Sequence, residues 1–364
     1  MTAAGLLLNY YSKEAVIKRY IRDNAITDAT EADIEEGKYD GMAAALGDPY
    51  AGYFTKEETA ANKEKKSGTY EGIGIVIAQD PSSGVILVIG VYPETSAEEA
   101  GILPGDILLK VRGEEVTGLE TSQVVEMIGS GDKEIALTLE REGKPYEAAV
   151  ERRAVKVPKV ASQVTEDGAG NTIGYVRITS FIYTTAEQFT DAMDEIEEQG
   201  IDGLIIDLRG NSGGLVDSAV NCLDRLLPKG LVVYTEAKDG TREDRISTGD
   251  DELGVPVVLL VDRQTASAAE IFAGALRDRI DAPLVGEVTY GKGIMQVTQF
   301  LTDGSSFKYT SAQYFSPNGV NINGEGFTPD VEVTLEEGSH VAASEDDNQY
   351  QAAVKVLDDL IAES

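Results

Sequence analysis

Strand-like and helix-like patterns alternate along residues 172–330, which predicts an α/β core. Glycine-punctuated β-type runs between residues 68 and 154 predict a second, smaller β-rich domain. Helical periodicity at both ends of the chain predicts terminal helices around these two parts. The expected layout is a helical region over 1–66, the β-rich domain over 67–154, the core over 155–340 and a helical tail over 341–364.

At the N-terminal end, Tyr11–Asn24 carries Ala15, Val16, Ile17 and Ile21, and Thr30–Leu46 carries Ile34, Met42 and Leu46, so both read as helices. Asp48-Pro-Tyr50 ends the second pattern, because proline disfavours helix in the residue before it. Lys56–Lys66 is charged and nearly featureless. In the β-rich domain the strand-like runs are Ile73–Ala78, Val85–Val91, Ile107–Val111 and Ile135–Glu140. Thr121–Ile128 reads as a helix and Ala97–Ala100 as one further turn.

The core pattern starts with the strand-like run Ile173–Val176 and the helix Thr185–Gln199. Gly203–Leu208 reads as a buried strand and Leu215–Leu227 as a helix. Val257–Val261 is a further apolar strand, and Ala266–Arg279 a further helix. Asn348–Ala362, with Ala353, Val354, Val356, Leu357 and Leu360, supplies the helical tail. No internal repeat or low-complexity tract interrupts this order.

The 364 residues suffice for two or three domains. The 42% hydrophobic and 26% charged content is that of a soluble globular chain. With 64 acidic against 31 basic residues the formal net charge is −33, which repels phosphate backbones and argues against nucleic-acid binding. The charge reads as solubility or a salty habitat rather than as a specific partner. The single cysteine, Cys222, precludes an intramolecular disulfide and shares an apolar helical face with Leu215, Ala219, Leu223 and Leu226, so it reads as a core filler. The single histidine, His340, sits in a polar tail segment, which argues against a Ser-His-Asp triad and a histidine-rich metal site. No apolar run approaches the ~20 residues a membrane-crossing helix needs. Gly5-Leu-Leu-Leu-Asn9 is too short for the apolar stretch of a signal peptide, and whether a targeting segment precedes Met1 stays open.

Four segments carry candidate chemistry. Thr265-Ala-Ser-Ala-Ala-Glu270 joins an apolar strand to an apolar helix. Ser267-x-x-Glu270 is the pattern of a helix capping box, yet a serine at a helix start, flanked by alanines, is also placed to act as a nucleophile. Tyr290-Gly-Lys-Gly-Ile-Met-Gln296 sets a lysine between glycines. It lacks the spacing of a phosphate loop, and it reads either as an exposed turn or as a lysine that desolvation can neutralise for use as a general base. Gln296 lies four residues on, where its amide can orient the amine. Asp207-Leu-Arg-Gly-Asn-Ser-Gly-Gly214 reads as a glycine-rich strand–helix turn or as an oxyanion-hole loop. Tyr70-Glu-Gly-Ile-Gly-Ile75 reads as a hairpin entry or as a loop that offers successive N–H groups to a peptide carboxylate.

Taken in order, these segments resemble the C-terminal processing peptidases, also called tail-specific proteases. The other matching blocks are Gly41-Met-Ala-Ala-Ala-Leu-Gly-Asp-Pro49, Glu270-Ile-Phe-Ala-Gly-Ala-Leu276, Tyr314-Phe-Ser-Pro-Asn-Gly319 and Gly326-Phe-Thr-Pro-Asp330. The likeness runs from about Ala32 to Val333. It implies a crotonase/ClpP-like α/β core with an inserted PDZ domain and terminal helices. It further implies Ser267 as nucleophile, Lys292 as base, Gln296 as its orienting partner, and the N–H groups of Gly213 and Ala268 as the oxyanion hole. In the PDZ domain it implies that Gly72, Ile73, Gly74 and Ile75 bind a C-terminal carboxylate and that Val125 lines the groove. Substrates would be unfolded or loosely folded proteins with apolar C-termini. No metal or cofactor is called for. Members usually act outside the cytoplasm, anchored or exported, and many form homodimers through terminal helices; a regulatory adaptor is unknown.

Three positions depart from the family pattern. Ser212 stands where proline is usual and Ala269 where serine is common, and Ile128-Gly-Ser-Gly131 lacks the basic residue that follows the groove helix in many gated members. Two other function classes compete with an active peptidase. A silent peptide-binding scaffold would have no need of Ser267, Lys292 and Gln296 together. An acyl-CoA enzyme of the crotonase type fits neither the PDZ-like domain nor so acidic a chain.

Overall fold

A computed structural model describes residues 12–249, 253–336 and 343–363. His340 and Gly5–Asn9 lie outside the described residues. The chain divides into two units. The first comprises residues 1–62, 236–241 and 294–313, and the second comprises 63–235, 242–293 and 314–364.

The first unit opens with α1 (Lys13–Asn24) and α2 (Glu31–Ala44), capped by Ser12 and Thr30. Lys18 pairs with Glu14, Glu31 and Glu35, which ties the two helices together. β1 (Gly52–Phe54) follows, then α3 (Lys56–Ser67). The helical α3 is the segment that looks featureless in the sequence. Its acidic first turn, Glu57 and Glu58, and basic last turn, Lys65 and Lys66, complement the helix dipole, a signal that hydrophobic periodicity does not read.

In the second unit the β-rich module contains β2 (Thr69–Gly72), β3 (Ile75–Gln79), β4 (Ile86–Val91), the short α4 (Ser96–Glu99), β5 (Ile107–Val111), β6 (Glu114–Glu115), α5 (Thr121–Gly129), β7 (Glu134–Arg141), β8 (Lys144–Glu151) and β9 (Arg153–Lys156). Strand order is β3-β4-β5-β7-β8, with β2 and β9 in a separate ribbon, so β3 is an end strand. Alternate residues of β7, Ile135, Leu137 and Leu139, point into a core shared with Ile86, Val88, Leu108, Val111 and Val124. Glu142 and Gly143 both have positive φ and close the β7–β8 hairpin, as a two-residue primed turn requires.

In the module a buried carboxylate pairs with a partly exposed arginine. Asp106, 1% exposed, accepts from Arg141 Nε at 2.6 Å, from Arg141 Nη2 at 2.8 Å and from the Tyr146 hydroxyl at 2.6 Å. The Arg141 guanidinium outweighs the cost of burial and holds the carboxyl down at about 2. A depressed native pKa contributes stability above the unfolded value near 3.8, and this is lost as pH falls through about 2. Asp106→Asn is expected to destabilise the protein by about 2 kcal/mol at neutral pH. The difference from the native chain should shrink between pH 4 and pH 2, read as the gap between urea midpoints.

The core sheet contains β10 (Val160–Glu166), β11 (Thr172–Ile178), β12 (Gly203–Asp207), β15 (Val257–Val261), β16 (Leu284–Gly286) and β19 (Val331–Glu332), in that order. β10 is antiparallel to β11, and the strands from β11 to β19 run parallel. Between them come α6 (Thr185–Glu197), α7 (Val216–Leu223), β13 (Gly230–Ala237), β14 (Arg242–Ser247), α8 (Ala268–Ile280), β17 (Ile294–Phe300) and β18 (Ser306–Phe315), with α9 (Asn348–Glu363) last.

The pleat sorts the two faces. Leu204, Ile206, Leu259 and Val261 join the core shared with α6, α7 and α8. Ile205, Val258 and Leu260 join the core shared with α9, around Tyr350, Ala353 and Leu357. Cys222 is fully buried in the first of these, as a core filler should be, and burial pushes its thiol pKa up. Parallel strands covered on both faces explain why β12 and β15 read as unbroken apolar runs. In the first unit, β18 pairs antiparallel with β1 and β17, Gly52 opposite Lys308 and Thr298 opposite the same residue.

Candidate active site

Three loops leave the carboxyl ends of neighbouring parallel strands: 208–215 after β12, 262–267 after β15 and 287–293 after β16. Ligand-binding residues of such sheets collect at that end.

Ser267 sits at the N-cap of α8 with φ 56° and ψ −118°. A non-glycine residue in that region stores strain, and a sharp strand-to-helix turn presents its side chain at the head of the sheet. Three bonds fix the turn to the loop after β12. The Thr265 hydroxyl donates to Leu208 O at 3.0 Å, Ala266 N–H to Asn211 O at 3.0 Å, and Gly210 N–H to the Asp262 carboxylate at 3.0 Å.

Gly213 packs against this turn. A Cβ there would lie 2.6 Å from Ala266 O and 2.9 Å from both Ala268 N and Ser267 Cβ, and its φ is 97°. Only glycine fits. The two anticipated oxyanion donors therefore stand side by side with Ser267. Ala268 is the first residue of α8, where an N–H has no intrahelical partner. The Gly213 N–H donates to Asn211 Oδ1 at 2.8 Å, within its own loop, so in this conformation that donor is engaged.

Lys292 is half-buried. Its flanking glycines are dictated by the loop they lie against. A Cβ on Gly291 would come 2.7 Å from Gly326 N, and one on Gly293 would come 2.6 Å from Asn323 N. They let the Lys292 loop lie against the backbone of residues 322–326.

Glu270 is the residue whose role the sequence understates. Its side chain is fully buried among groups that it links. Oε2 accepts from Ser267 N–H at 2.8 Å and Lys292 N–H at 2.9 Å, while Oε1 accepts from Gly291 N–H at 2.7 Å and the Thr289 hydroxyl at 2.6 Å. One carboxylate thus joins the backbone of the serine turn to the backbone of the lysine loop. The Ser-x-x-Glu pattern signals the first of these bonds; nothing in the sequence signals the other three.

Gln296 belongs to the first unit, on β17, where its amide donates to Thr310 Oγ1 at 3.2 Å beside an irregularity in the β17–β18 register. In the β-rich module, Gly72, Ile73 and Gly74 are buried and Ile75 is half-buried at the start of β3. Gly72 lies under the Tyr70 ring, where a Cβ would come 2.2 Å from Cε2. Val125, 55% exposed, lies on α5, whose Val124 and Ile128 are buried in the module. Among the described residues no group of histidine, cysteine and acidic side chains is arranged to hold a metal ion, and no helix is long and apolar enough to cross a membrane.

Comparison with known proteins gives the family. Residues 172–333 match peptidase family S41 and residues 87–141 match the PDZ domain. The carboxy-terminal processing protease CtpA of Bacillus subtilis is 35% identical over 320 residues, 87% of this chain and 67% of that protein. The carboxyl-terminal-processing protease of Synechocystis sp. is 33% identical over 350 residues, 95% of this chain and 80% of that protein. Among solved structures, the photosystem II D1 C-terminal processing protease shares 29% identity with a TM-score of 0.53, covering 90% of this chain and 88% of the other. A putative S41 protease from Bacteroides fragilis shares the fold at 17% identity and a TM-score of 0.60, covering 96% and 98%. The chain belongs to the S41 family of carboxyl-terminal processing serine proteases and carries a PDZ domain.

Proposed function

We propose that this protein cleaves unfolded or loosely folded polypeptides through a Ser267–Lys292 pair and selects them by their apolar C-termini through the PDZ domain. The observation that carries the catalytic part is the Glu270 carboxylate, which binds the main chain of both residues. Neutral Lys292 takes the Ser267 hydroxyl proton as Oγ attacks the peptide carbonyl. The oxyanion that forms is held by the N–H groups of Ala268 and Gly213, the latter turning away from Asn211 Oδ1 when substrate is seated. Lys292 then gives the proton to the departing amine, leaving an acyl-enzyme that water hydrolyses by the reverse proton path. The parallel sheet with helices on both faces supports a crotonase/ClpP-like core. The same proposal takes a helical region over 1–66, a PDZ domain over 67–154, a peptidase core over 155–340 and a helical tail over 341–364, in an extracytoplasmic, membrane-associated homodimer.

For selection, β3 is an end strand, and α5 beside it exposes Val125. A peptide adding to that edge would set its carboxylate against the Gly72–Ile75 turn and its last apolar side chain against Val125.

A serine-directed phosphonate probe tests the catalytic part: a single adduct on the peptide that contains Ser267 is expected, and labelling elsewhere or none would count against it. A silent scaffold and an acyl-CoA enzyme would both leave the probe unreacted. For selection, Val125→Asp is expected to raise KM about tenfold for a protein ending in apolar residues while kcat stays unchanged. An unchanged KM would remove Val125 from the groove.

A further inference from the structure

The loop that carries Gly213 is held from two sides. On one side it is bonded to the Ser267 turn. On the other, Arg209 reaches a buried cluster contributed by a distant part of the chain. Arg209 is 8% exposed, and all five of its N–H donors are engaged. Nε and Nη2 form a fork onto Asp207, at 3.0 and 2.7 Å. Nη2 and Nη1 form a second fork onto Asp347, at 2.7 and 2.9 Å. Nη1 also donates to Gln349 Oε1 at 3.0 Å. The Tyr175 hydroxyl donates to Asp207 at 2.7 Å, and the Tyr175 ring meets Tyr350 edge-on at 5.7 Å.

Asp207 ends β12, fully buried between β11 and β15, where the Tyr175 hydroxyl holds its carboxylate. Asp347 and Gln349 lie 138 and 140 residues downstream, at the start of α9. Asp207 thus ties Arg209 to the sheet, and the downstream pair ties it to the start of α9. A buried guanidinium with one fork unpaired is costly, so loss of Asp347 forces Arg209, and the backbone next to it, to find another arrangement.

Resting on the peptidase reading, we propose that Asp347, supported by Gln349, is a positioning residue for catalysis. It acts through Arg209 to set the Gly210–Gly214 backbone, and so the Gly213 donor, against Ser267. The C-terminal helix is then part of the catalytic apparatus as well as a cover for the sheet.

Asp347 has a second task that makes a clean test possible. Its carboxylate also accepts Tyr350 N–H at 3.1 Å and so caps α9. Asparagine keeps a capping acceptor and removes the charge, so Asp347→Asn separates the latch from the fold. Arg209→Lys is the second variant, keeping the charge and losing the double fork. Each is compared with the full native chain by steady-state cleavage of an unfolded protein and by amide hydrogen exchange.

Both variants are expected to lower kcat about tenfold with KM within about twofold, as for a misplaced catalytic group. Exchange should quicken at residues 210–214 and stay unchanged in β11 and β15. Unchanged exchange at 210–214 in both variants would overturn the proposal, whatever the kcat. Exchange does not depend on activity. A native chain that neither cleaves nor takes the phosphonate would sink the peptidase reading, while faster exchange at 210–214 would still support the structural link.

Discussion

Ser267→Ala and Lys292→Ala are each expected to reduce cleavage of an unfolded protein by roughly 10⁴-fold or more, and the double variant to be no worse than either single one. Groups that act as one unit lose their joint effect when either is removed, so their costs do not add. The native rate should rise with pH and fail in acid, because only a neutral amine accepts the serine proton. Backbone strain supplies an independent check. Ser267 sits at φ 56° and ψ −118°, where a side chain costs about 1–3 kcal/mol and glycine much less. Ser267→Gly should therefore lose activity like the alanine variant and yet melt higher than it. Residual cleavage near the native rate in Ser267→Ala would show that the nucleophile lies elsewhere. Additive losses in the double variant would mean that the two residues act independently.

The parts of this molecule that were legible in the sequence are those with a strong local signal. β12 and β15 are apolar on both faces because both faces are covered, and such runs announce themselves. α8 is announced by its cap and by the alanine-rich helix after Ser267. β17 and β18 are different. Ile294–Phe300 mixes half-buried and exposed residues, and the strands are set by pairing across a turn rather than by a core face. β16 and β19 are three and two residues long, too short for any periodicity. The same division holds at the site. Ser267, Lys292 and the glycines beside them are visible as residue types in context. Glu270 binding Gly291 and Lys292, Asn211 binding Gly213, and Asp347 binding Arg209 join segments by contacts that no local pattern encodes.

Replacing Glu270 is expected to damage stability and catalysis together. Its two oxygens accept three backbone N–H groups and one hydroxyl in a fully buried setting. Each donor stranded without water costs about 1–3 kcal/mol, so Glu270→Ala should destabilise the protein by several kcal/mol. Glu270→Gln is the sharper experiment. The amide keeps the shape and one acceptor oxygen, but its NH₂ must face two of the former donors, and no rotamer satisfies all four. The serine turn and the lysine loop would then separate by some fraction of an ångström. Such a shift is expected to lower kcat about 100-fold while KM changes little. Thr289→Val removes this donor and strands the buried Phe327 N–H that the hydroxyl accepts, but leaves the three backbone bonds to Glu270, so it should cost stability and little activity. If Glu270→Gln cleaves at the native rate, the carboxylate is a helix cap and nothing more. If it loses kcat while Thr289→Val does not, the loss lies in the main-chain link between Ser267 and Lys292, the element that turns two separate loops into one catalytic pair.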